Sequence, residues 1–252
     1  MNQISPASIT PYITASLKSK NVLIFGGTSG IGLSAAVQAK AAGANVTIVG
    51  QDADRTRKIA EEHGFAGSRG ADVTNPGSIN SALSDIGHVD HLVLIAGTFI
   101  AGKALDADVA YLQKAFDERI WAAVHTLRAL GDNLANDASI TLISGALADR
   151  PNAYGVAVLG AASAAMEAFG RGLALELAPR RVNTLSPGPI DTPILGKTLG
   201  DGRDAYVKSL IEKLPLKRIG TADEAGAAVV FLMANGWMNG AVLNIDGGSR
   251  LV

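Results

Sequence analysis

Short runs of apolar residues alternate with longer stretches of mixed apolar and polar residues along the chain. The short runs predict seven strands, at Asn21–Phe25, Asn45–Val49, Phe65–Arg69, His91–Ile95, Ser139–Ile143, Arg181–Leu185 and Ala241–Ile245. Apolar runs of this kind are typical of strands that are buried on both faces of a sheet. Because helical stretches separate most of the strands, the pattern predicts an α/β fold built on one parallel sheet.

The longer stretches predict helices near Gly30–Ala42, Ala53–His63, Pro76–Ser84, Asp108–Leu130, Val156–Ala178 and Ala222–Met233. Local signals support several of their ends. Asn75 followed by Pro76 is the pattern of an N-cap before proline at the first helical position. Thr221 and Glu224 form a capping box. Pro179 closes the long Ala-rich helix.

No repeat or low-complexity linker divides the chain, so residues 17–252 are predicted to form a single domain. Residues 1–16 are rich in Ser, Thr and Pro and lack the basic-then-apolar order of a signal peptide. We expect them to form a loosely attached N-terminal extension. The segment at about 188–218 is punctuated by Gly and Pro and weakly periodic, which predicts a lid over a site.

The composition supports one sizeable core and gives no sign of a nucleic-acid or membrane partner. The 252 residues are 48% hydrophobic and 18% charged, with a formal net charge of −1. The apolar run Ala225–Ala234 is too short to span a bilayer. Cysteine is absent and no acidic cluster accompanies the four histidines, so no metal site is expected. We expect a cytoplasmic protein that acts on a small molecule.

A glycine-rich turn follows the first predicted strand and precedes a predicted helix. It comprises Gly26, Gly27, Thr28, Ser29, Gly30, Ile31 and Gly32. In such a turn Gly26 permits the tight bend, Gly30 lets backbone approach a pyrophosphate, and Gly32 allows the helix to pack closely on the sheet. The helix N-terminus adds amide donors and a favourable dipole. The turn therefore predicts a dinucleotide site, with a ligand-free loop as the alternative.

The spacing Gly-x-x-x-Gly-x-Gly resembles that of the short-chain dehydrogenase/reductase family. Further matches follow in the family's order: Asp72-Val73, Ala96-Gly97, Arg181–Asn183, Pro187–Thr192, Leu214–Gly220 and Asn244–Gly248. The resemblance implies a Rossmann-like, doubly wound seven-stranded parallel sheet with helices on both faces. It places at the cofactor Gly26, Thr28, Ser29, Gly30, Ile31, Gly32, Asp72, Val73, Ala96, Gly97, Pro187, Gly188, Ile190 and Thr192.

The end of the second strand bears on the choice between NADP(H) and NAD(H). A carboxylate at the Gly50 position would accept hydrogen bonds from the ribose hydroxyls and repel a 2′-phosphate. Glycine does neither, and Gln51 and Arg55, with Arg57 nearby, offer groups that accommodate a phosphate. We therefore expect NADP(H) rather than NAD(H). The alternative is that both arginines belong to the solvated face of the following helix.

The catalytic positions implied by the resemblance carry other residues. The family's Tyr-x-x-x-Lys pair falls on Leu159 and Ser163, and no tyrosine of the chain has lysine four residues on. The family's asparagine falls on Arg119. Its serine falls on Gly145 or Ala146, with Ser144 immediately before. The resemblance therefore implies a member that lacks the usual proton donor.

Two residues are candidates for catalytic work in place of this donor. Arg119 is predicted to occupy the space left by the missing lysine and to supply positive charge to a substrate oxyanion or carboxylate. A structural arginine paired with Glu118, Asp117 or a carbonyl is the alternative. Ser144 is a candidate for polarising a carbonyl, or else a buried hydroxyl bonded to backbone.

Two functions remain open at this point. The first is an atypical NADP(H)-dependent oxidoreductase for a small organic substrate that needs little protein acid, such as an iminium or an activated alkene. The second is a catalytically silent or non-redox NAD(P)-binding protein on the same fold. The resemblance also implies a homotetramer or homodimer, with the helices Asp108–Leu130 and Val156–Ala178 at one interface and the tail Asp246–Val252 at another.

Overall fold

The structure, a computed structural model, describes Ile13 and residues 16–252. Its main sheet has seven strands, all paired in parallel, in the order β3-β2-β1-β4-β5-β6-β9. These strands are β1 (Asn21–Phe25), β2 (Asn45–Gly50), β3 (Gly67–Gly70), β4 (Val89–Leu94), β5 (Leu134–Ile143), β6 (Arg181–Pro187) and β9 (Val242–Ile245). The strand order reverses between β1 and β4, which places the usual ligand crevice of an open α/β sheet at their carboxyl ends.

Nine α-helices are described. They are α1 (Gly30–Ala41), α2 (Ala53–His63), α3 (Pro76–Leu83), α4 (Val109–Phe116), α5 (Ala122–Leu130), α6 (Ala157–Glu176), α7 (Pro193–Leu199), α8 (Arg203–Lys213) and α9 (Ala222–Ala234). A π-helical turn, Asp117–Trp121, joins α4 to α5. Strands β7 (Ile190–Asp191) and β8 (Gly220–Thr221) form a separate pair.

Alternate residues of the strands build two apolar layers, one on each face of the sheet. Val22 and Ile24 pack with α1 and α9, through residues such as Ala35 and Val229. Leu23 and Phe25 belong to the opposite layer, in which α3, α5 and α6 cover the sheet. Both faces are therefore buried, and the predicted doubly wound seven-stranded architecture is confirmed.

The predicted ends of the helices agree with the observed caps. The Asn75 side chain accepts a hydrogen bond from the Ser78 amide, with Pro76 at the start of α3. The capping box of α9 forms as expected, because Thr221 and Glu224 each accept from the other's backbone amide. Side-chain capping therefore satisfies amides that would otherwise lack partners at these helix starts.

The structure differs from the sequence-based expectation in two regions. The single helix predicted at Asp108–Leu130 is divided into α4, the π turn and α5. The segment predicted as a lid, for which no helix was predicted, contains the helices α7 and α8, neither of which has a buried residue. The predicted extension, residues 1–16, lies almost wholly outside the described residues, although Ile13 packs against the core.

Within the described residues, no helix is both long and apolar enough to cross a membrane.

Candidate active site and nucleotide cradle

The glycine turn packs against the end of β4. Gly26 has a φ of 84°, and a Cβ added to it would lie 2.8 Å from the Ala96 amide nitrogen. A Cβ on Gly32 would lie 2.1 Å from the Gly26 carbonyl oxygen. Both positions therefore require glycine, and the turn lies directly beside Ala96 and Gly97 at the crevice.

The loop after β6 reaches the same turn from the other side. Gly30 has a φ of 53°, and its Cβ position would be 3.1 Å from Cγ2 of Thr192. The N-cap residue of α1, Ser29, makes no side-chain capping bond, so the first amides of this helix stay available. Free amides at a helix start bind phosphate, and the bare backbone around Gly30 allows the close approach that a pyrophosphate needs. These residues fit a dinucleotide.

The other residues expected at the cofactor surround this turn. Gly188 packs on the C-terminal segment, because a Cβ there would lie 2.7 Å from the Asp246 Cα. Ile190 is buried in β7, next to Gly220. Oδ1 of Asp72 accepts hydrogen bonds from the amide and hydroxyl of Thr74. The residues expected to contact the adenine and the nicotinamide therefore lie along one edge of the sheet.

At the end of β2, the neighbouring side chains leave no room for a carboxylate side chain at position 50. A Cβ on Gly50 would lie 2.5 Å from Cγ2 of Thr28 and 2.5 Å from Oγ1 of Thr56. Beyond this strand, Gln51 and Arg55 are exposed. Among the described residues, Arg55 has no carboxylate partner within ion-pair distance, whereas Arg57 pairs with Asp54 at 2.8 Å. Arg55 is therefore the free cation at this end of the crevice.

Arg119 lies in the π turn, with its guanidinium against the end of β4. Nη1 donates to the Ala115 carbonyl at 3.2 Å and Nη2 to the Thr98 carbonyl at 3.0 Å. The guanidinium carbon would be 3.6 Å from a Cβ on Gly97. No carboxylate of the described residues forms an ion pair with Arg119. Burial lowers the pKa of this guanidinium from its ordinary value, and the charge of Glu118 opposes that effect.

The predicted Tyr and Lys positions are both buried in helix α6. Leu159 is 3% exposed and packs in an apolar cluster with Ile100 and Leu112. The Ser163 hydroxyl donates to the Leu159 carbonyl at 2.9 Å. Opposite them, a Cβ on Gly145 would be 4.0 Å from Oγ of Ser163. Neither residue presents a free acidic hydrogen to the crevice.

Ser144 is engaged by a carboxylate. Its hydroxyl donates to Glu167 on α6 at 2.7 Å. This partner differs from the backbone bond that the sequence suggested as the alternative to catalysis. Tyr154, in the loop before α6, is 77% exposed.

An arginine near the C-terminus holds the loop after β5, and sequence reasoning missed it. Arg250 bonds Asp149 at 2.6 Å, Asp246 at 2.8 Å and the Ser186 hydroxyl at 3.4 Å. It therefore joins the loop after β5 to the end of β6 and to the segment after β9. No sequence motif signals such a contact, because its two ends are separated by 101 positions.

Glu118 was also absent from the predicted site. Its carboxylate accepts from the Thr98 amide at 2.6 Å and from the Thr98 hydroxyl at 2.8 and 2.9 Å. The Thr98 carbonyl is bound by Arg119. Two successive residues of the π turn therefore bind both the amide and the carbonyl of Thr98, the second residue beyond Ala96. The only sequence signal for this contact was that Glu118 directly precedes Arg119.

Known proteins are similar to this chain over nearly its whole length. The family model described as enoyl-(acyl carrier protein) reductase matches residues 26–250. The short-chain dehydrogenase/reductase ATR9 of Stachybotrys chlorohalonatus is 30% identical over 262 residues, covering 93% of this chain and 98% of that protein.

Solved structures show the same agreement. The MalC reductase/Diels-Alderase of Malbranchea aurantiaca superposes with a TM-score of 0.88 at 25% identity, covering 95% of this chain and all of that one (100%). A small-chain dehydrogenase in complex with NADPH has a TM-score of 0.81 at 33% identity, covering 93% and 100%. The strand order, the glycine turn and these matches lead to one conclusion: the chain belongs to the short-chain dehydrogenase/reductase family.

Proposed function

We propose that this protein is an NADP(H)-dependent oxidoreductase that acts on a small organic substrate without a Tyr–Lys pair. The observation that supports the proposal is a contrast within one crevice, between the glycine turn and the positions aligned with the family's proton donor. The glycine turn closes against Ala96 and Thr192 with its helix amides available. The positions aligned with the family's acid, Leu159 and Ser163, hold a buried apolar side chain and a hydroxyl bonded to backbone.

The preference for NADP(H) rests on charge and space at the end of β2. The space beside Gly50 is filled by Thr28 and Thr56, so no carboxylate repels a 2′-phosphate there. Arg55 is exposed and lacks a carboxylate partner among the described residues, and it would pair with that phosphate. A structural neighbour in complex with NADPH supports this choice.

Arg119 is the residue that we assign to the substrate. A bound nicotinamide would supply or accept the hydride. The buried guanidinium of Arg119 would hold an anionic group of the substrate, because a charge that is removed from water and lacks a carboxylate partner favours an incoming anion. Ser144 would polarise a substrate carbonyl only if its hydroxyl turned away from Glu167. We therefore assign Ser144 a smaller role than Arg119.

The absent acid restricts the substrate class. Reduction of an ordinary ketone would lose roughly 10²–10⁴-fold without a positioned proton donor. An iminium needs no proton as hydride arrives, and an activated alkene places its charge on a stabilising group. A neighbour that is named both as a reductase and as a Diels-Alderase supports a reactive organic substrate of this kind.

The second candidate is a catalytically silent or non-redox NAD(P)-binding protein. It is favoured by the same burial of Leu159 in an apolar cluster, which leaves no acid at that position. In this case the cofactor would bind and no acceptor would be reduced.

Nucleotide binding followed by a substrate screen separates the two candidates. NADPH at about 100 times its Kd adds about 2.7 kcal/mol of stability. For a chain of this length the melting temperature should rise by roughly 5–10 °C. Trp121 and Trp237, which are 53% and 96% exposed, offer fluorescence as a second signal.

The outcomes are distinct. Absence of any NADPH-induced shift would refute the first candidate, and absence of a shift with NADH as well would refute both. If NADPH binds, panels of ketones, iminium ions and activated alkenes are tested for oxidation of the nicotinamide. Turnover confined to the last two classes is expected for the first candidate. No turnover in any class would favour the second.

A further inference from the structure

A small cavity lies beneath the π turn and borders the nucleotide crevice, because Val73 and Ala96 also line it. Its apolar wall comes from the carboxyl ends of β1, β4 and β5 and from α6, through Phe25, Leu94, Ile143 and Met166. Its polar lining consists of Glu118, Arg119 and Thr126, and the cavity volume is about 10 Å³. That volume is about the minimum that holds one water molecule.

Thr126 lines this cavity and has an unpartnered hydroxyl. The residue is 1% exposed, and its Oγ1 is buried without a hydrogen-bond partner. Leaving such a group without a partner destabilises the folded state. Buried polar groups in native proteins are nearly always satisfied, by protein or by ordered water. The hydroxyl therefore indicates a missing partner in the cavity beside it.

Arg119 supplies a second partner for the same space. Two of its N–H groups bind the carbonyls of Ala115 and Thr98, and its other N–H groups make no hydrogen bond to a described residue. Apolar cavities stay empty, whereas polar ones with two or more hydrogen-bonding groups hold ordered water. This cavity has both a hydroxyl and a guanidinium on its lining.

We propose that one internal water molecule binds in this cavity and links Thr126 to Arg119. The water oxygen accepts a hydrogen bond from the guanidinium, and one water hydrogen is donated to Oγ1 of Thr126. Thr126 is then a positioning residue, which acts on Arg119 through the water. The inference concerns this chain's own side chains and stands whether or not the proposed redox function is correct.

The substitution Thr126→Val distinguishes a bridged hydroxyl from an orphaned one. If the water is present, valine removes one of its partners, and the melting temperature falls by roughly 2–6 °C. If the hydroxyl is unsatisfied, valine leaves the melting temperature unchanged or raises it, which overturns the proposal. Thr126→Ser keeps the hydroxyl and should recover at least half of the loss.

Thr141 provides the matched control. It is also a threonine that is 1% exposed and has an unpartnered Oγ1, but it lies in β5 and does not line the cavity. Thr141→Val should leave the melting temperature unchanged or raise it. An equal fall in both valine variants would assign the loss to buried hydroxyls in general and refute the water site.

A spectroscopic measurement tests the link to Arg119. Its side-chain Nε–H signal in a two-dimensional NMR spectrum is assigned by its loss in Arg119→Lys. Thr126→Val should shift this signal, and Thr126→Ser and Thr141→Val should leave it in place. A crystal structure should show one water within about 3.2 Å of both Oγ1 of Thr126 and an Arg119 nitrogen. An Arg119 Nε–H signal that does not shift in Thr126→Val, or a crystal structure with no water in the cavity, would contradict the proposal.

Discussion

Gly50 shows how neighbouring side chains hold one position at the nucleotide edge free of a side chain. Thr56 is fully buried, and its hydroxyl donates to the Asp52 carbonyl at 2.5 Å. Because its branched side chain is also stiff in a helix, Thr56 cannot turn away without losing that bond. An acidic residue at position 50 would therefore have to displace Thr56 as well as Thr28. The free space at position 50 is therefore controlled by Thr28 on the glycine turn and Thr56 on α2.

Arg55, the exposed arginine beyond the end of β2, gives the first prediction. Arg55→Gln should weaken NADPH binding about 10-fold, which corresponds to about 1.4 kcal/mol, and leave NADH binding unchanged. Calorimetric titration with both nucleotides measures the two effects. Arg57→Gln is the matched control, because Arg57 pairs with Asp54 and should change neither affinity. Equal losses for NADPH and NADH in Arg55→Gln would show that this arginine does not contact a 2′-phosphate.

His91 gives a prediction about pH. The side chain is 8% exposed, its Nδ1 lies 2.7 Å from the Ser139 hydroxyl, and burial lowers its pKa from 6.5 to about 4. The folded state therefore binds this proton less readily than the unfolded state. The resulting contribution is complete above pH 6.5 and is lost as pH falls towards 4, with a full size of about 3 kcal/mol.

Urea unfolding of the wild type and of His91→Gln measures this contribution. Between pH 7 and pH 4.5, the wild type should lose about 2 to 3 kcal/mol more stability than the variant. His88→Gln removes a nearby exposed histidine and should behave as the wild type does. The same pH dependence in His91→Gln would assign the loss to other groups.

Part of the site was predictable from the sequence and part was not, and the difference between the two parts has a physical reason. The glycine turn is local, since each glycine reports a backbone requirement within a few residues, and its position was predicted correctly. The partners of Arg119 are carbonyls and the partner of Ser144 is a carboxylate 23 positions away. Such contacts depend on how helices dock, which apolar periodicity does not encode.

At the scale of elements, the π turn is the feature that the apolar pattern of the sequence could not predict. The turn spans Asp117–Trp121 and shifts the helical register once between α4 and α5. Apolar spacing continues across it, so the sequence predicted a single helix. The helices α7 and α8 were missed for the opposite reason, because neither has a buried residue and so no apolar stripe marks them.

The clamp formed by Arg250 gives a prediction for the loop after β5. Asp149→Asn removes the charged partner of Arg250 and should speed hydrogen exchange in residues 145–156. The free energy of unfolding should change by less than about 1 kcal/mol, because Asp149 is half exposed. Hydrogen exchange with mass spectrometry measures both this loop and the unaffected helix α9.

Asp204→Asn is the control for this clamp. Asp204 pairs with Arg203 on helix α8 and is 91% exposed. Its replacement should leave exchange in residues 145–156 unchanged. If Asp149→Asn also leaves that exchange unchanged, Arg250 does not order the loop.

At the scale of the whole molecule, every strand pair of the main sheet is parallel. This much followed from the alternation of strands and helices, since parallel neighbours need crossover connections. The short β7–β8 pair was not predicted, because two residues from each strand are too few to give a pattern. Strand order was implied by the family resemblance and not by the apolar pattern itself.

Exposed apolar residues on α6 and beside it lead to a prediction of assembly. Ala161 and Ala164 face outward on α6, Leu175 is 82% exposed, and Trp121 is 53% exposed at the start of α5. A flat face of small residues flanked by large ones suits a symmetric helix pairing. Ala164→Arg should therefore reduce the mass in solution to half of that of the wild type or less, as measured by light scattering.

Arg171→Ala changes an exposed polar residue of the same helix and serves as the control. Its mass should equal that of the wild type. A wild-type protein that is monomeric at micromolar concentration would refute this assembly.

The Asp149–Arg250 pair also has a consequence for the order of folding during synthesis. The glycine turn, β1 and β4 are complete once the first hundred residues or so have been made. Arg250 follows Asp149 by 101 positions and comes after β9, at the edge of the sheet. A ribosome-bound chain would therefore contain the glycine turn and its neighbour β4 long before Arg250 is made. The loop after β5 would be held by Arg250 only once residue 250 has left the exit tunnel.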